Sequence, residues 1–201
     1  MSLKAMIDDA ALPITEIGAY LDGLDHAVRK AEVLILSSRQ VKELYHRAAA
    51  AEPLTLDFFV PEDVAATTEV IHHGRNSLPA FNFFQKRFAR SARSGDRLFG
   101  YNEQSMRWAT GPGFFVALES RPEWRDRGAV VIDYHQVPGE GDDVPAGWPK
   151  IVPNSRGLQF LIYHKTRDFM RKVSSHVSVG AAYKGESDKE MGAYFALCRD
   201  R

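Results

Sequence analysis

Residues 76–90 read NSLPAFNFFQKRFAR, and the period assigned to this stretch decides what the first half of the chain is. Ser77 is a capping residue type, and Pro79 is tolerated in a first helical turn. Phe81, Phe84 and Phe88 then follow at i, i+3 and i+7, the spacing of one helical face. The pattern predicts a helix over 78–91 that buries the three rings and turns Lys86, Arg87 and Arg90 outward. Residues 75–107 hold 7 basic and 2 acidic side chains, whereas residues 1–74 hold 6 and 12, so a formal net charge of zero hides a basic island. The acidic first third is an internal partner for that island. With the rings turned to the core, no aromatic platform is left for single-stranded nucleic acid, and nucleic acid is disfavoured as a partner.

Upstream, Ile14, Ile17, Leu21, Leu24, Val28, Ala31 and Ile35 recur in steps of three and four, which predicts one long amphipathic helix, weakened at Gly18 and Gly23. This heptad-like stripe leaves room for a homo-oligomer formed through the N-terminal helix. Ser37 followed by Gln40 matches a capping box and predicts a second helix over 38–51, ended before Pro53. Residues 53–76 read as irregular, with one strand at TEVIHH.

From Arg97 onward the pattern shortens to β-type runs: RLFGY, SMRWAT, FFVALES, AVVIDYHQV, SHVSVGAAY and AYFALC, separated by Gly and Pro turns. KTRDFMRKVS, between the fourth and fifth, reads as a late helix. Residues 138–154 form a Pro- and Gly-rich loop of a length that is usually functional or mobile. The expected fold is α+β, one domain over 1–201. A helical part at about 11–92 precedes a β-rich part at about 97–199, whose mainly antiparallel sheet of about five strands carries the central and the late helix.

Asp133 and His135 share one face of the run VVIDYHQV, and His176 and Ser178 share one face of SHVSVGAAY. A carboxylate beside an imidazole fixes the tautomer and raises basicity, so Asp133, His135 and His176 are the catalytic candidates for proton transfer. His72, His73, Arg75 and Asn76 precede the predicted helix at 78, where free backbone donors suit an anion, and are the ligand-binding candidates. Trp148, in the long loop, is the candidate cover of the cleft. Neither HExxH nor a Cys/His cluster of metal spacing occurs, so no metal is assigned. No phosphate-cradling loop occurs either, and no cofactor is identified.

The longest apolar runs fall far below the ~18 residues of a spanning segment, so no membrane is counted among the partners. One cysteine, Cys198, and no signal-type N-terminus fit a soluble protein of the cytoplasm. The functional expectation is a small anionic-molecule-binding domain with a capacity for acid/base catalysis by a His/Asp cluster. Its rival is a non-enzymatic interaction protein that uses the first helix and the basic central helix.

Overall fold

The structure is a computed structural model that describes residues 1–78 and 82–200. Four helices come first: α1 (Leu3–Asp8), α2 (Ile14–Asp22), α3 (His26–Leu34) and α4 (Ser38–Arg47). A single turn, α5 (Leu56–Phe59), precedes eight strands. These are β1 (Val70–Asn76), β2 (Phe83–Arg90), β3 (Leu98–Glu103), β4 (Phe115–Glu119), β5 (Val130–Asp133), β6 (Thr166–Lys172), β7 (Val177–Lys184) and β8 (Lys189–Arg199). Two more single turns, α6 (Arg107–Thr110) and α7 (Gln159–Ile162), lie in the β3–β4 and β5–β6 connections.

The strands run antiparallel in chain order, and β8 pairs back onto β1 through His72↔Arg199 to Asn76↔Phe195, which closes the barrel. Closure overturns the expected α+β fold with a sheet of about five strands. The predicted central helix at 78–91 is replaced by β2, paired with β1 through Val70↔Phe88 to Arg75↔Phe83. The predicted late helix is β6, paired on both sides. Residues i and i+4 share a face in a helix and in a strand alike, so Phe84 and Phe88 do not discriminate. Lys86 between them points the same way only in a strand. Phe81, the third ring of the proposed helical face, lies outside the described residues. SMRWAT holds the turn of α6 instead of a strand.

The helical third forms a layer on the outer wall. Ser37 and Gln40 make the expected capping box at the start of α4. The predicted long first helix is instead α2 and α3, separated after Gly23. Its apolar stripe is split: Ile14, Ile17 and Leu21 are buried, while Val28 and Ile35 are exposed. The buried set packs on the outward residues of β7 and β8, namely Val177, Val179, Ala181, Tyr194, Ala196 and Cys198. The first half of the stripe is therefore covered by the chain's own barrel, and Val28 and Ile35 of its second half stay on the surface.

The barrel interior forms a second core. At one end, Phe58 and Phe59 of α5 seal it against His72 and Phe88, with ring centroids 4.9 Å apart for Phe59–Phe88 and for His72–Phe88. Midway, the Phe115 and Phe195 rings lie over the neighbouring strands inside the barrel, which is possible because their cross-strand partners are Gly100 and Gly180. A Cβ at either would come within 2.4 Å of the opposing ring. An antiparallel barrel of eight strands is at the size where the interior is either filled or holds one small ligand. Here one end is filled, and the other is open.

Candidate functional site

Above the Phe115 and Phe195 rings, toward the open end, Lys86 enters the barrel from β2 with only 2% of its surface exposed. Its ammonium donates to Asn102 Oδ1 of β3 at 3.0 Å, to Asp168 Oδ2 of β6 at 3.0 Å and to the hydroxyl of Tyr134, just past β5. Three donors thus meet three acceptors from three separate segments of the barrel. Tyr134 in turn donates to Asp168 Oδ2 at 3.2 Å, and Asn102 Nδ2 donates to the Gly113 carbonyl at 3.0 Å. The stem of the cluster is aromatic. Lys86 Nζ lies 4.9 Å from the Phe195 centroid, 5.1 Å from that of Tyr134 and 5.2 Å from that of Phe115, within cation–π range.

Burial pushes the Lys86 ammonium down from its ordinary value, and the Asp168 carboxylate opposes that push. Burial likewise raises the Tyr134 phenol well above its ordinary value, with the Asp168 charge adding to it. Tyr134 is therefore a neutral donor at physiological pH. Tyr163, stacked on Tyr134 at 5.2 Å, is raised by the same two causes. Its hydroxyl accepts from Gln104 Nε2 at 3.3 Å, which leaves its own proton available for donation.

Lys86, Asn102, Tyr134, Tyr163 and Asp168 line a cavity of about 130 Å³ whose wall is completed by apolar side chains, among them Phe84, Ile162 and Phe195, and by the polar Asn76, Gln104 and Thr166, with the half-exposed Leu78 and Met191 at its mouth. That volume is close to the ~150 Å³ of an apolar cavity that accepts benzene.

The catalytic candidates do not converge. Asp133 is buried but faces out of the barrel, 3.4 Å from Arg167 and accepting from the His135 amide at 2.9 Å. His135 itself is exposed in the turn after β5. His176 precedes β7 at the sealed end, 3.4 Å from the Arg199 guanidinium. Between them stands β6, whose Arg167 pairs with Asp133 and whose Lys172 pairs with Ser178. Five residue steps of ~3.4 Å separate the two ends.

Nor do the anion candidates form one site, because the helix whose N-terminus they were to flank does not exist. His72 points into the sealed end and donates from Nε2 to the Phe59 carbonyl at 3.0 Å. His73 points outward, 3.5 Å from Asp200, and Arg75 donates to the Leu36 carbonyl at 2.9 Å. Asn76 alone lines the cavity, at its rim. Trp148 donates to Glu69 Oε2 at 2.7 Å and packs on Tyr101, so the long loop runs along the outer wall and leaves the cavity mouth open.

No protein-family model, no curated protein and no solved structure matches this chain. Among the described residues, no group of three or more His, Cys, Asp or Glu side chains could hold a metal ion, and no helix is long and apolar enough to cross a membrane.

Sequence reasoning missed Lys86, Tyr134, Asn102 and Asp168. Lys86 was assigned to the outer face of a helix, and Asp168 lay in the stretch read as the late helix. The recoverable signal was alternation: Phe84, Lys86, Phe88 and Thr166, Asp168, Met170 each place one charge of opposite sign in the middle of an otherwise uncharged strand face. Such charges persist in a core only when paired.

Proposed function

We propose that the protein binds a small molecule in the open end of the barrel, with a neutral oxygen-bearing group at Lys86 and an apolar body directed toward the mouth. The observation that carries this is the cavity itself, a largely apolar chamber in which Lys86, Asn102, Tyr134 and Asp168 meet in one hydrogen-bonded cluster. Pockets of this pattern, mostly apolar with a few convergent polar groups, are the usual form of small-molecule sites. The charge count decides against an anion. Lys86 is already matched by Asp168, and a carboxylate would add an unmatched charge to a site with little water, at a cost of several kcal/mol. A ketone, aldehyde or alcohol adds none. The anionic preference expected from the sequence rested on the helix N-terminus at residue 78, where the chain is leaving strand β1. The chain Lys86–Tyr134–Asp168 also connects a cation, a neutral phenol and a carboxylate by hydrogen bonds, which is the equipment for proton transfer to or from a bound carbonyl.

A matched set of probes tests the reading. Acetophenone, benzyl alcohol, benzoate and toluene have nearly the same body and differ in the polar group. Added at the same concentrations, the first two are expected to raise the melting temperature, toluene less, and benzoate not at all; in Lys86→Met the advantage of the oxygen-bearing probes over toluene should vanish. Stabilisation by benzoate equal to that by benzyl alcohol would defeat the neutral-ligand reading. No stabilisation by any of the four would remove the binding site.

A further inference from the structure

Among the described residues, the open end carries most of the large apolar side chains that are exposed. Trp108 of α6 is 85% exposed, Leu161 and Phe160 of α7 are 68% and 50% exposed, and Leu78, Met106 and Met191 are each more than two-fifths exposed. They belong to one surface. Gln159, the buried residue of α7, accepts from the Gly113 amide at 2.9 Å beside the end of α6, which turns Phe160 and Leu161 away from the barrel. Lys184, at the end of β7, donates to the Leu161 carbonyl at 3.0 Å and ties α7 to the β7–β8 hairpin that carries Met191. Leu78 and Met191 also line the cavity, so the apolar surface surrounds the mouth.

Free cations outnumber free carboxylates on the same surface: Glu103 and Glu186 are paired with Arg107 and Lys165, Asp188 is buried against Arg127 and Arg167, and Glu190 accepts from the Tyr194 hydroxyl. The connections 104–114 and 154–165 contain Arg107, Arg156 and Lys165 and no aspartate or glutamate. Lys184 and Lys189 flank the mouth from the β7–β8 side. Among the described residues, Lys184, Lys189 and Arg156 form no ion pair with a carboxylate.

We infer that the open end of the barrel docks on the surface of a bilayer containing anionic phospholipid, with Trp108, Phe160 and Leu161 entering the interface and the cationic rim meeting the headgroups. Exposed apolar surface bordered by lysine and arginine is the chemistry of interfacial binding, and tryptophan favours the headgroup level. Each lysine or arginine near an anionic surface adds about a fivefold gain in partitioning, so the rim and the rings act together. Docking would place the cavity mouth against the bilayer, and a ligand with an apolar body would then pass between lipid and barrel without crossing water. The sequence excluded a membrane because no segment spans one; docking of this kind requires no span.

The test uses the full chain with vesicles of phosphatidylcholine alone or mixed with phosphatidylserine. The protein is expected to float with the mixed vesicles, to shift its tryptophan emission to the blue and to be quenched by brominated lipid. The variant Trp108→Ser/Phe160→Ser/Leu161→Ser removes only exposed side chains and should lower partitioning at least ~10-fold, as should Lys184→Glu/Lys189→Glu. Neither variant should change the melting-temperature response to benzyl alcohol measured without vesicles, so failure of docking and failure of the cavity reading are told apart. Absence of flotation with the mixed vesicles overturns the inference, and so does flotation that the triple variant leaves unchanged. A concentration-dependent dimer that the triple variant dissolves, in a protein that does not float, would identify the surface as a contact with a second copy instead.

Discussion

Two buried basic side chains enter the same barrel and are handled in opposite ways. Lys86 keeps three acceptors, so a positive charge is tolerated inside. His72 has one, the Phe59 carbonyl, and its Nδ1 finds no partner among the described residues, where the rings of Phe58, Phe59 and Phe88 surround it. A carbonyl partner fixes the proton on Nε2. Burial, aided by the Arg199 charge, depresses the His72 imidazolium to about 3. The unfolded chain protonates this side chain near 6.5 and the folded chain near 3, so between those values the unfolded state binds more protons. Stability should therefore fall as pH drops through this window, by up to roughly 1.4 kcal/mol per unit from His72 alone. Urea unfolding at pH 6.5, 5.5 and 4.5, compared with His72→Leu, isolates the effect: the variant begins less stable but should lose about that much less per unit. Parallel pH profiles would show that His72 is solvated or charged in the native protein. The sequence offered His72 as a surface ligand for an anion, and its strand neighbours explain the reversal. Val70 and His72 share the inward face of β1; TEVIHH reads as a strand in the sequence, but its alternation alone does not say which of its two faces is buried.

At the scale of elements, Gly18 and Gly23 show what a helical pattern conveys and what it omits. Both interrupt the same stripe, and by propensity alone each is a weakness of ~1 kcal/mol relative to alanine. In the structure they differ. A Cβ on Gly18 would sit 2.5 Å from the Val173 carbonyl oxygen, because α2 is pressed against the β6–β7 turn, whereas on Gly23 it would meet only Ala19 and Tyr20 carbonyls at 3.5 and 3.6 Å. Gly18→Ala should cost about 1–2 kcal/mol net, the backbone collision outweighing the gain in helix propensity. Gly23→Ala should be neutral or stabilise by up to ~1 kcal/mol, since its backbone is already right-handed helical. Chemical denaturation of the two variants checks the pair, and equal shifts of one sign would mean that the close approach is relieved at no cost. The elements that were legible carried a local signature: the Ser37–Gln40 box, and the β-type runs that became β3, β4, β5, β7 and β8. Those misread, β2 and β6, have alternation masked by charged inward residues, and only their pairing partners, far away in sequence, make those charges acceptable.

On the scale of the molecule, the question is whether the helical layer and the barrel form one cooperative unit. Cys198 answers it, because its side chain lies on the outward face of β8, fully covered in the core that α1 to α4 share with that wall. Burial pushes its thiol up to about 11, so in the native state it is both shielded and protonated at pH 8. Several ties cross the layer boundary. Tyr45 of α4 donates to the Arg127 carbonyl at 2.6 Å, Arg171 of β6 donates to the Tyr45 carbonyl at 2.9 Å, and the Arg171 guanidinium stacks 4.1 Å from the Tyr45 ring. Detaching the helices would expose Val177, Val179, Ala196 and Cys198 together, and at ~25 cal/mol per Å² of apolar surface the loss would be a large share of a marginal total stability. Thiol labelling of Cys198 by Ellman's reagent across a urea series should therefore follow the same midpoint as loss of β-sheet circular dichroism, with one opening free energy for both. Labelling at distinctly lower urea than the barrel transition would show that the helices lift off as a separate unit, and the barrel would then have to hold its own closed form without them.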